Sequence, residues 1–233
     1  MAGSLYLVPV TLGSIEYENV IPSYVSDVTR KLRHFITEDV RSARRYLRLI
    51  DRSFPIDDSS FSILNEHTKA EQVAELLAPV IAGFDVGLMS EAGLPGIADP
   101  GSLVIREAHA RNIKVVPLSG PSSIILALIS SGLDGQKFSF HGYLPQKKDE
   151  REQRLRDIEK RIAKDGSQIF METPYRASKM IESLLSACNG DTMLCIASDI
   201  TLGTEFIVTK RIAEWRNNPP ALDDRLVVFV LGK

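Results

Sequence analysis

The stretch "LMSEAGLPGIADPGSL", Leu88–Leu103, runs from a continuously apolar segment into a loop rich in glycine and proline. Glycine allows left-handed backbone and lets another group approach the main chain closely, while proline fixes φ. Two explanations of the loop are therefore open: the turn is only tight, or a ligand lies against its bare backbone. The residues concerned are Gly93, Pro95, Gly96, Pro100 and Gly101.

The segments on either side of this loop predict a parallel sheet. "LYLVPV", "FDVGLM" and "IKVVPL" are apolar throughout, as strands buried on both faces are, and helical segments separate them. Strands and helices that alternate through short glycine-rich connections indicate βαβ units. Ligands of such sheets bind beyond the carboxyl ends of the strands, where "SEAGLPGIADPG" and "SGPSS" both lie. The first of these loops would also offer free N–H groups at the start of a helix from Ser102.

After about Leu133 the pattern changes. The strand-like segments Met193–Ser198 and Thr204–Lys210 are joined by too few residues for a parallel crossover, so if they pair directly they are antiparallel. The sequence therefore predicts an α/β protein of two domains. Residues 1–119 would form an N-terminal α/β domain with a mainly parallel sheet, and residues 120–233 a C-terminal α/β domain with a mixed sheet.

Composition narrows the class of protein. Of 233 residues, 44% are apolar and 25% charged, as in soluble globular proteins. A net charge of −2 gives no overall attraction to nucleic acids or membranes, so any basic surface must be local. No signal peptide or membrane span is recognisable, and Cys188 and Cys195 lack metal-ligand spacing. We expect a cytoplasmic protein with reduced thiols, no membrane partner and no metal site. Motifs for nucleoside triphosphates, Rossmann dinucleotides and serine hydrolysis are absent.

One segment is locally basic. Between Arg30 and Arg52, eight Lys and Arg residues stand against three acidic ones. Within it, "EDVRSARRYLRLID" has the apolar spacing of an amphipathic helix. Arginine forks bind phosphate oxygens well, so the polar flank is a candidate RNA-binding surface, and the alternative is a solvated face paired with acids. The flank carries Arg41, Arg44, Arg45 and Arg48.

Several segments together resemble a known family. "MSEAGLPGIADPG" is similar to the S-D-A-G-x-P-x-I-x-D-P-G loop of the tetrapyrrole methylase superfamily, and especially of its 16S rRNA (cytidine-2′-O)-methyltransferase branch. Further resemblances follow in order along nearly the whole chain. They are "LYLVPVTLG", "ITEDVR", "LNEHTKAEQ", "VVPLSGPSSI", "FSFHGYLP", "IFMETPYR" and "RLVVFVLG".

The resemblance implies an S-adenosylmethionine-dependent methyltransferase with the cofactor in a cleft between the two domains, a homodimer, and small-subunit ribosomal RNA as substrate. By position, it assigns cofactor contacts to the first strand, the glycine-rich loop, the second loop and the C-terminal domain. These residues are Pro9, Gly93, Leu94, Pro95, Gly96, Ile97, Ser122, Ser123 and Met171. Substrate contacts would come from Arg41, Arg44, Arg45, Arg48 and Arg176.

Methyl transfer from a sulfonium depends largely on positioning, but a ribose 2′-OH is a poor nucleophile that benefits from a base or a polarising cation. The catalytic candidates are Glu38, Asp39 and Arg41, with Glu91 and Glu172 behind them. Asp39 has an equally good alternative role as the N-terminal cap of the basic helix.

The chain also departs from the family pattern. Where the family has R-E-L-T-K, this chain has "SDITL", Ser198–Leu202, without the basic residue or the lysine. Two alternatives therefore stay open. One is a methylase of the same fold that acts on a tetrapyrrole or another small molecule, whose nucleophilic ring carbons need no base. The other is a cofactor-binding or RNA-binding module with little catalysis.

Overall fold

The structure is a computed structural model, and it describes residues 2–65, 68–222 and 224–233. The chain forms two compact units, Met1–Ser122 and Ser123–Lys233. We call them the N-terminal unit and the C-terminal unit. The predicted domain boundary between residues 119 and 120 stays a prediction. The predicted ligand cleft between the two domains also stays a prediction.

The N-terminal unit alternates strands with helices along the chain. In order, its elements are β1 (Ser4–Leu7), a 3₁₀ turn (Tyr17–Asn19), α1 (Ser23–Lys31), β2 (His34–Thr37), α2 (Val40–Ile50), β3 (Ser60–Ile63), α3 (Ala70–Leu76), α4 (Ala78–Ile81), β4 (Val86–Met89), α5 (Gly101–Ala110) and β5 (Lys114–Pro117).

The five strands of this unit form one parallel sheet in the order β3-β2-β4-β1-β5. Both of its faces are covered, which explains the continuously apolar strands. Successive residues of β2 show this, because Phe35 packs with α1 and α2 whereas Ile36 packs with α3 and α5. The carboxyl ends of β2 and β4 are in register, with Thr37 opposite Met89.

The C-terminal unit is built around a second sheet. Its elements are α6 (Ser123–Ser131), β6 (Phe138–Tyr143), α7 (Lys148–Asp165), β7 (Ser167–Glu172), a 3₁₀ turn (Pro174–Arg176), α8 (Ala177–Ala187), β8 (Met193–Ser198), β9 (Phe206–Arg211), α9 (Ile212–Asn217) and β10 (Val227–Gly232).

The second sheet is mixed, with the order β6-β7-β10-β8-β9. β6 and β7 are parallel, while β10 runs antiparallel to both of its neighbours and β9 runs antiparallel to β8. Phe170 and Phe229 stack at the centre of its core, with ring centroids 5.4 Å apart. Register brings Glu172, Val227 and Ser198 together at one edge of the sheet.

These observations confirm the predicted fold class, with a parallel first sheet, a mixed second sheet and the antiparallel β8–β9 pair. Within the described residues, no helix is both long and apolar enough to cross a membrane. Cys188 and Cys195 are both buried and unpaired, and burial raises the pKa of the Cys188 thiol to about 12.

Candidate active site

The loop that joins β4 to α5, residues 90–100, turns through three left-handed residues. Gly93, Gly96 and Ala98 have φ angles of 71°, 89° and 60°. Glycine adopts this conformation freely, whereas for an alanine it costs roughly 1–2 kcal/mol. We call residues 90–100 the glycine loop. Its shape is strained at Ala98 and depends on contacts that hold it.

Asp99 makes those contacts. Its Oδ1 accepts hydrogen bonds from the N–H groups of Gly96, at 2.9 Å, and Gly101, at 2.7 Å, and its Oδ2 also lies 2.9 Å from Gly96 N. Burial raises the pKa of Asp99, although its hydrogen bonds with backbone N–H groups act in the opposite direction. The helix predicted from Ser102 begins one residue earlier, and its first N–H group is engaged by Asp99 rather than free.

The glycines are required by the loop itself. A Cβ atom at Gly96 would lie 2.9 Å from Ile105 Cδ1, and one at Gly101 would lie 2.7 Å from Asp99 Oδ1. The Ile105 side chain could move away, so it is the φ of 89° that favours glycine at position 96, whereas at position 101 a Cβ atom would also lie 3.1 Å from the backbone nitrogen of Gly96 and would disturb the turn without any ligand. The tight turn therefore explains these residues, and approach of a ligand to the same backbone is a proposal.

Other predicted cofactor contacts of the N-terminal unit adjoin the glycine loop. Val10 N donates a 2.9 Å hydrogen bond to Gly93 O, which fixes the segment after β1 beside the loop. A Cβ atom at Gly120 would overlap Pro9 Cβ at 2.2 Å, and Pro121 O lies 3.3 Å from the corresponding position at Gly93. Pro9 and Ser122 are buried, and Ile97 is 43% exposed. The structure thus joins three separate sequence segments at one edge of the parallel sheet.

Glu38 leaves the sheet at this same edge. Because Thr37 pairs with Met89, Glu38 follows β2 beside the start of the glycine loop. Its Oε1 atom is buried and has no hydrogen-bond partner among the described residues. Burial raises the pKa of Glu38 to about 7, and the negative charges of Asp99 and Glu91 contribute. A carboxyl group with this pKa can both accept and release a proton near neutral pH.

Asp39, the next residue, has a different role. It is the N-cap of α2, and its Oδ1 accepts a 2.7 Å hydrogen bond from Ser42 N. Hydrogen bonds with the Ser42 backbone and side chain lower the pKa of Asp39, and the nearby Arg41 lowers it further. The helix-cap alternative therefore describes the observed geometry, and a catalytic role for Asp39 stays a prediction.

α2 presents its basic residues to solvent. Ala43, Tyr46, Leu47 and Ile50 are its buried residues, and the four predicted arginines, Arg41, Arg44, Arg45 and Arg48, are all exposed. The Arg44 guanidinium lies over the Phe61 ring, 5.2 Å from its centroid. Arg48 Nη1 donates to Arg52 O. The predicted polar flank is thus a continuous exposed surface of the N-terminal unit, which we call the arginine face.

In the C-terminal unit, the predicted Met171 and Arg176 lie near the end of β7. Between them, the buried Glu172 accepts a 2.8 Å hydrogen bond from Thr173 N through Oε1, and its Oε2 lies 2.8 Å from Arg176 Nη2. Arg176 Nη2 also donates to Leu144 O at 2.8 Å. Met171 is half-buried and pairs with Val228, while Ser123 begins α6.

The divergent Ser198–Leu202 segment is held by a second acid–base pair. Asp199 Oδ2 lies 3.6 Å from Arg225 Nη1 and accepts a 3.0 Å hydrogen bond from Thr204 Oγ1. Asp199 and Thr201 both have left-handed φ, 51° and 73°. The segment that lacks the family's lysine therefore has a defined shape, which the contacts of Asp199 with Arg225 and Thr204 hold.

Comparisons with known proteins identify the family. A family model described as Tetrapyrrole (Corrin/Porphyrin) Methylases matches residues 19–215. The chain belongs to this family. Within the described residues, no group of three or more His, Cys, Asp or Glu side chains is placed to hold a metal ion.

Its relatives include the ribosomal RNA small subunit methyltransferase I of Vibrio cholerae, which is 31% identical over 90% of this chain and 69% of the relative. The protein of the same name from Haemophilus influenzae is 29% identical over 100% of this chain and 80% of the relative. Among solved structures, the methyltransferase CobJ superposes with a TM-score of 0.65 over 100% of this chain and 95% of that one, at 16% identity. That last likeness shows the fold alone.

Membership of the tetrapyrrole methylase family confirms the predicted methyltransferase and its resemblance to the ribosomal RNA branch. The individual roles predicted for site residues stay predictions. Sequence reasoning missed the hydrogen bonds of Asp99 and the Arg225–Asp199 pair. An aspartate two positions before a helix-initiating glycine was a signal for the first, because Asp side chains commonly bond backbone N–H groups of their own turn.

Proposed function

We propose that this chain transfers a methyl group from S-adenosylmethionine to a ribose 2′-OH of small-subunit ribosomal RNA. The observation that carries the proposal is Glu38, whose Oε1 has no hydrogen-bond partner among the described residues and whose pKa is raised to about 7 at the carboxyl edge of the parallel sheet. Transfer to a 2′-OH requires removal of a proton, and Glu38 is suited to accept it. The names of the ribosomal RNA relatives support the same substrate.

The residues at this edge fit S-adenosylmethionine. Glu38, Glu91 and Asp99 give the edge a negative potential, which suits a cation, and Ile97 offers exposed apolar surface. S-Adenosylmethionine supplies an electrophilic methyl group on a positively charged sulfur. Because Asp99 already engages the N–H groups of Gly96 and Gly101, the glycine loop would contact the cofactor through its other backbone groups and side chains. The residues proposed to bind it are Pro9, Gly93, Leu94, Pro95, Gly96, Ile97, Ser122, Ser123 and Met171.

The chain's own residues then have separate tasks. The arginine face and Arg176 would bind RNA phosphates and orient the ribose, because guanidinium groups bind phosphate oxygens in a fixed geometry. Glu38 would take the proton of the 2′-OH with its carboxylate group, which is only partly buried. Asp39 would act indirectly, by capping α2 and so fixing the start of the arginine face.

A tetrapyrrole or other small-molecule substrate is the second candidate, because the family model bears that name and the Ser198–Leu202 segment differs from the ribosomal RNA branch. Ring carbons of a tetrapyrrole are nucleophilic without a base, so this candidate leaves Glu38 unexplained. A binding module with little catalysis is the third candidate.

We further propose that the protein is a homodimer and acts in the cytoplasm. Sedimentation of the purified chain would test whether it is a dimer.

The first experiment is transfer of labelled methyl groups from S-adenosylmethionine to undermethylated small ribosomal subunits. A porphyrinogen precursor is tested in parallel, and cofactor binding is titrated on the same preparation. We expect label in RNA, at a position whose ribose becomes resistant to alkaline cleavage. Label in the porphyrinogen alone would support the second candidate. Cofactor binding with no transfer to either substrate would support the third and overturn the proposal.

A further inference from the structure

The second half of the glycine loop is held by the side chain of Asp99. Asp99 bonds Gly96 and Gly101 and thereby bridges the end of the turn, including the left-handed Ala98. Hydrogen bonds to an ionised carboxylate are roughly twice as strong as neutral ones. These bonds join Gly96 and Gly101 on either side of Ala98, and without them nothing in the Asp99 side chain would hold Ala98 in its left-handed conformation.

The same carboxylate also acts on Glu38. The charged groups that raise the pKa of Glu38 are Asp99 and Glu91, both in the glycine loop, and both are negative. On the Glu38 side, the neighbouring Asp39 carboxylate is bonded to Ser42 at the start of α2, and Arg41 acts on Asp39. Asp99 is therefore linked to two proposed parts of the reaction, the cofactor-binding loop and the proton acceptor.

We propose that Asp99 is a positioning residue for methyl transfer, which fixes the glycine loop through Gly96 and Gly101 and adds a negative charge at the same edge of the sheet as Glu38. This inference rests on the proposed function, since it assigns a role in that same site. Asp99 itself would touch neither the transferred methyl group nor the ribose. Its effect would be on loop shape and on the proton affinity of Glu38.

Two substitutions separate these effects. In Asp99→Asn, the side-chain oxygen can keep the bonds that Oδ1 makes with Gly96 and Gly101, but the charge is lost, as is Oδ2 as a second acceptor for Gly96 N. In Asp99→Ala, both the bonds and the charge are lost. Asp58→Asn is the matched control, because Asp58 is an exposed aspartate of the same unit.

Three measurements are made on each purified full-length variant. They are amide hydrogen exchange of the peptide covering the glycine loop in the free protein, the Kd for S-adenosylmethionine, and the pH dependence of methyl transfer. We expect loop exchange in Asp99→Ala to be at least about tenfold faster than in Asp99→Asn, and its cofactor Kd to be about 10- to 100-fold higher, as the loss of charge-assisted hydrogen bonds implies. In Asp99→Asn, the rise of the rate with pH should move to lower pH, because one of two negative charges near Glu38 is gone.

The outcomes distinguish the two proposals. If the wild-type chain binds S-adenosylmethionine but Asp99→Ala has the same loop exchange and the same Kd as the wild type, Asp99 does not hold the loop and the inference is overturned alone. An unshifted pH profile in Asp99→Asn overturns the electrostatic half. If the wild-type chain binds no cofactor, the proposed function fails and the inference fails with it. Should Asp99→Ala not fold, loop exchange in Asp99→Asn compared with Asp58→Asn decides: faster exchange is expected in Asp99→Asn, because its bonds to the loop are no longer charge-assisted, and equal exchange would overturn the inference.

Discussion

At the edge of the parallel sheet, the Glu38 carboxyl group has a buried oxygen without a partner, and no basic group of the described residues forms a salt bridge with it. At the edge of the mixed sheet, the buried Glu172 has Arg176 Nη2 at 2.8 Å, and Asp199 has Arg225 Nη1 at 3.6 Å. Both edges therefore carry carboxylates at strand ends, but among the described residues Glu172 and Asp199 each have an arginine beside them, whereas Glu38 forms no salt bridge.

This difference between the two sheet edges distinguishes a carboxyl group suited to proton transfer from carboxylates that stabilise the fold. Glu172, which lies beside Arg176, fixes the neighbouring backbone, because its Oε1 accepts a hydrogen bond from Thr173 N. A partly buried carboxyl group among other negative charges is instead pushed toward its protonated form near neutral pH. Perturbation of this kind is typical of groups that exchange protons during a reaction. We therefore propose that the catalytic base lies in the N-terminal unit and that the carboxylates of the C-terminal unit have a structural role.

The largest expected effect is that of Glu38→Gln, which removes the proposed proton acceptor while keeping its size. Methyl transfer to RNA should fall about 100-fold or more, as general-base catalysis implies, while the Kd for S-adenosylmethionine stays within a few-fold. In the wild type, the rate should rise with pH through about 7, and this rise should be absent from the variant. Rates measured from pH 5.5 to 8.5 test both expectations.

Stability provides the control for the same variant. Because folding raises the pKa of Glu38 above its unfolded value, its contribution to stability is fully present below about pH 4 and is lost as the pH rises through about 7. Glu38→Gln has no such loss, so at pH 8 it should be at least as stable as the wild type in thermal unfolding. An inactive variant that is also unstable at pH 8 would count against a catalytic role.

Glu172→Gln tests the other side of the comparison. It removes one charge of a buried pair and leaves Arg176 without its anion, so the free energy of unfolding should fall by about 2 kcal/mol. Glu150→Gln is the matched control, because its pair with Lys147 is exposed and should contribute less than about 1 kcal/mol. Urea unfolding measures both. Equal effects would mean that the two edges do not differ as we infer.

A smaller effect is expected on RNA affinity. Arg45→Glu reverses an exposed charge of the arginine face, and binding to RNA extracted from small subunits should weaken about 5- to 10-fold at moderate salt. The slope of log affinity against log salt should become shallower by about 0.7–0.9. Lys160→Glu in α7, a helix of mixed charge, is the control and should change neither value. A similar response in both variants would remove the arginine face from the proposal.

Much of this arrangement could be predicted from local sequence. The parallel and mixed sheets follow from apolar runs and connection lengths, and the family from ordered motifs. An aspartate before the basic helix already suggested the cap that Asp39 makes. These features depend on residues close together in the chain, where periodicity and turn chemistry carry information.

The state of Glu38 could not be predicted in the same way. Its pKa depends on burial and on Asp99 and Glu91, which are more than fifty positions away along the chain. The Arg225–Asp199 pair likewise joins two loops that only strand pairing brings together. From the sequence alone, Glu38 and Asp39 are equal candidates for the catalytic base. Their environments in the folded chain differ, because burial raises the pKa of Glu38 whereas hydrogen bonds with Ser42 lower that of Asp39.

The smallest effect separates these neighbours. Asp39→Ala removes the cap of α2 and should lower the Tm by roughly 2–4 °C, whereas Asp39→Asn, which can cap through its side-chain oxygen, should stay near the wild-type Tm. Since folding lowers the pKa of Asp39, its stabilisation is present above the unfolded pKa and lost as the pH falls through the folded value. The Tm difference between Asp39→Ala and wild type should therefore be larger at pH 7 than at pH 3. If Asp39→Asn keeps its Tm but loses methyl transfer as severely as Glu38→Gln, Asp39 is catalytic as well, and the contrast between the two carboxylates does not hold.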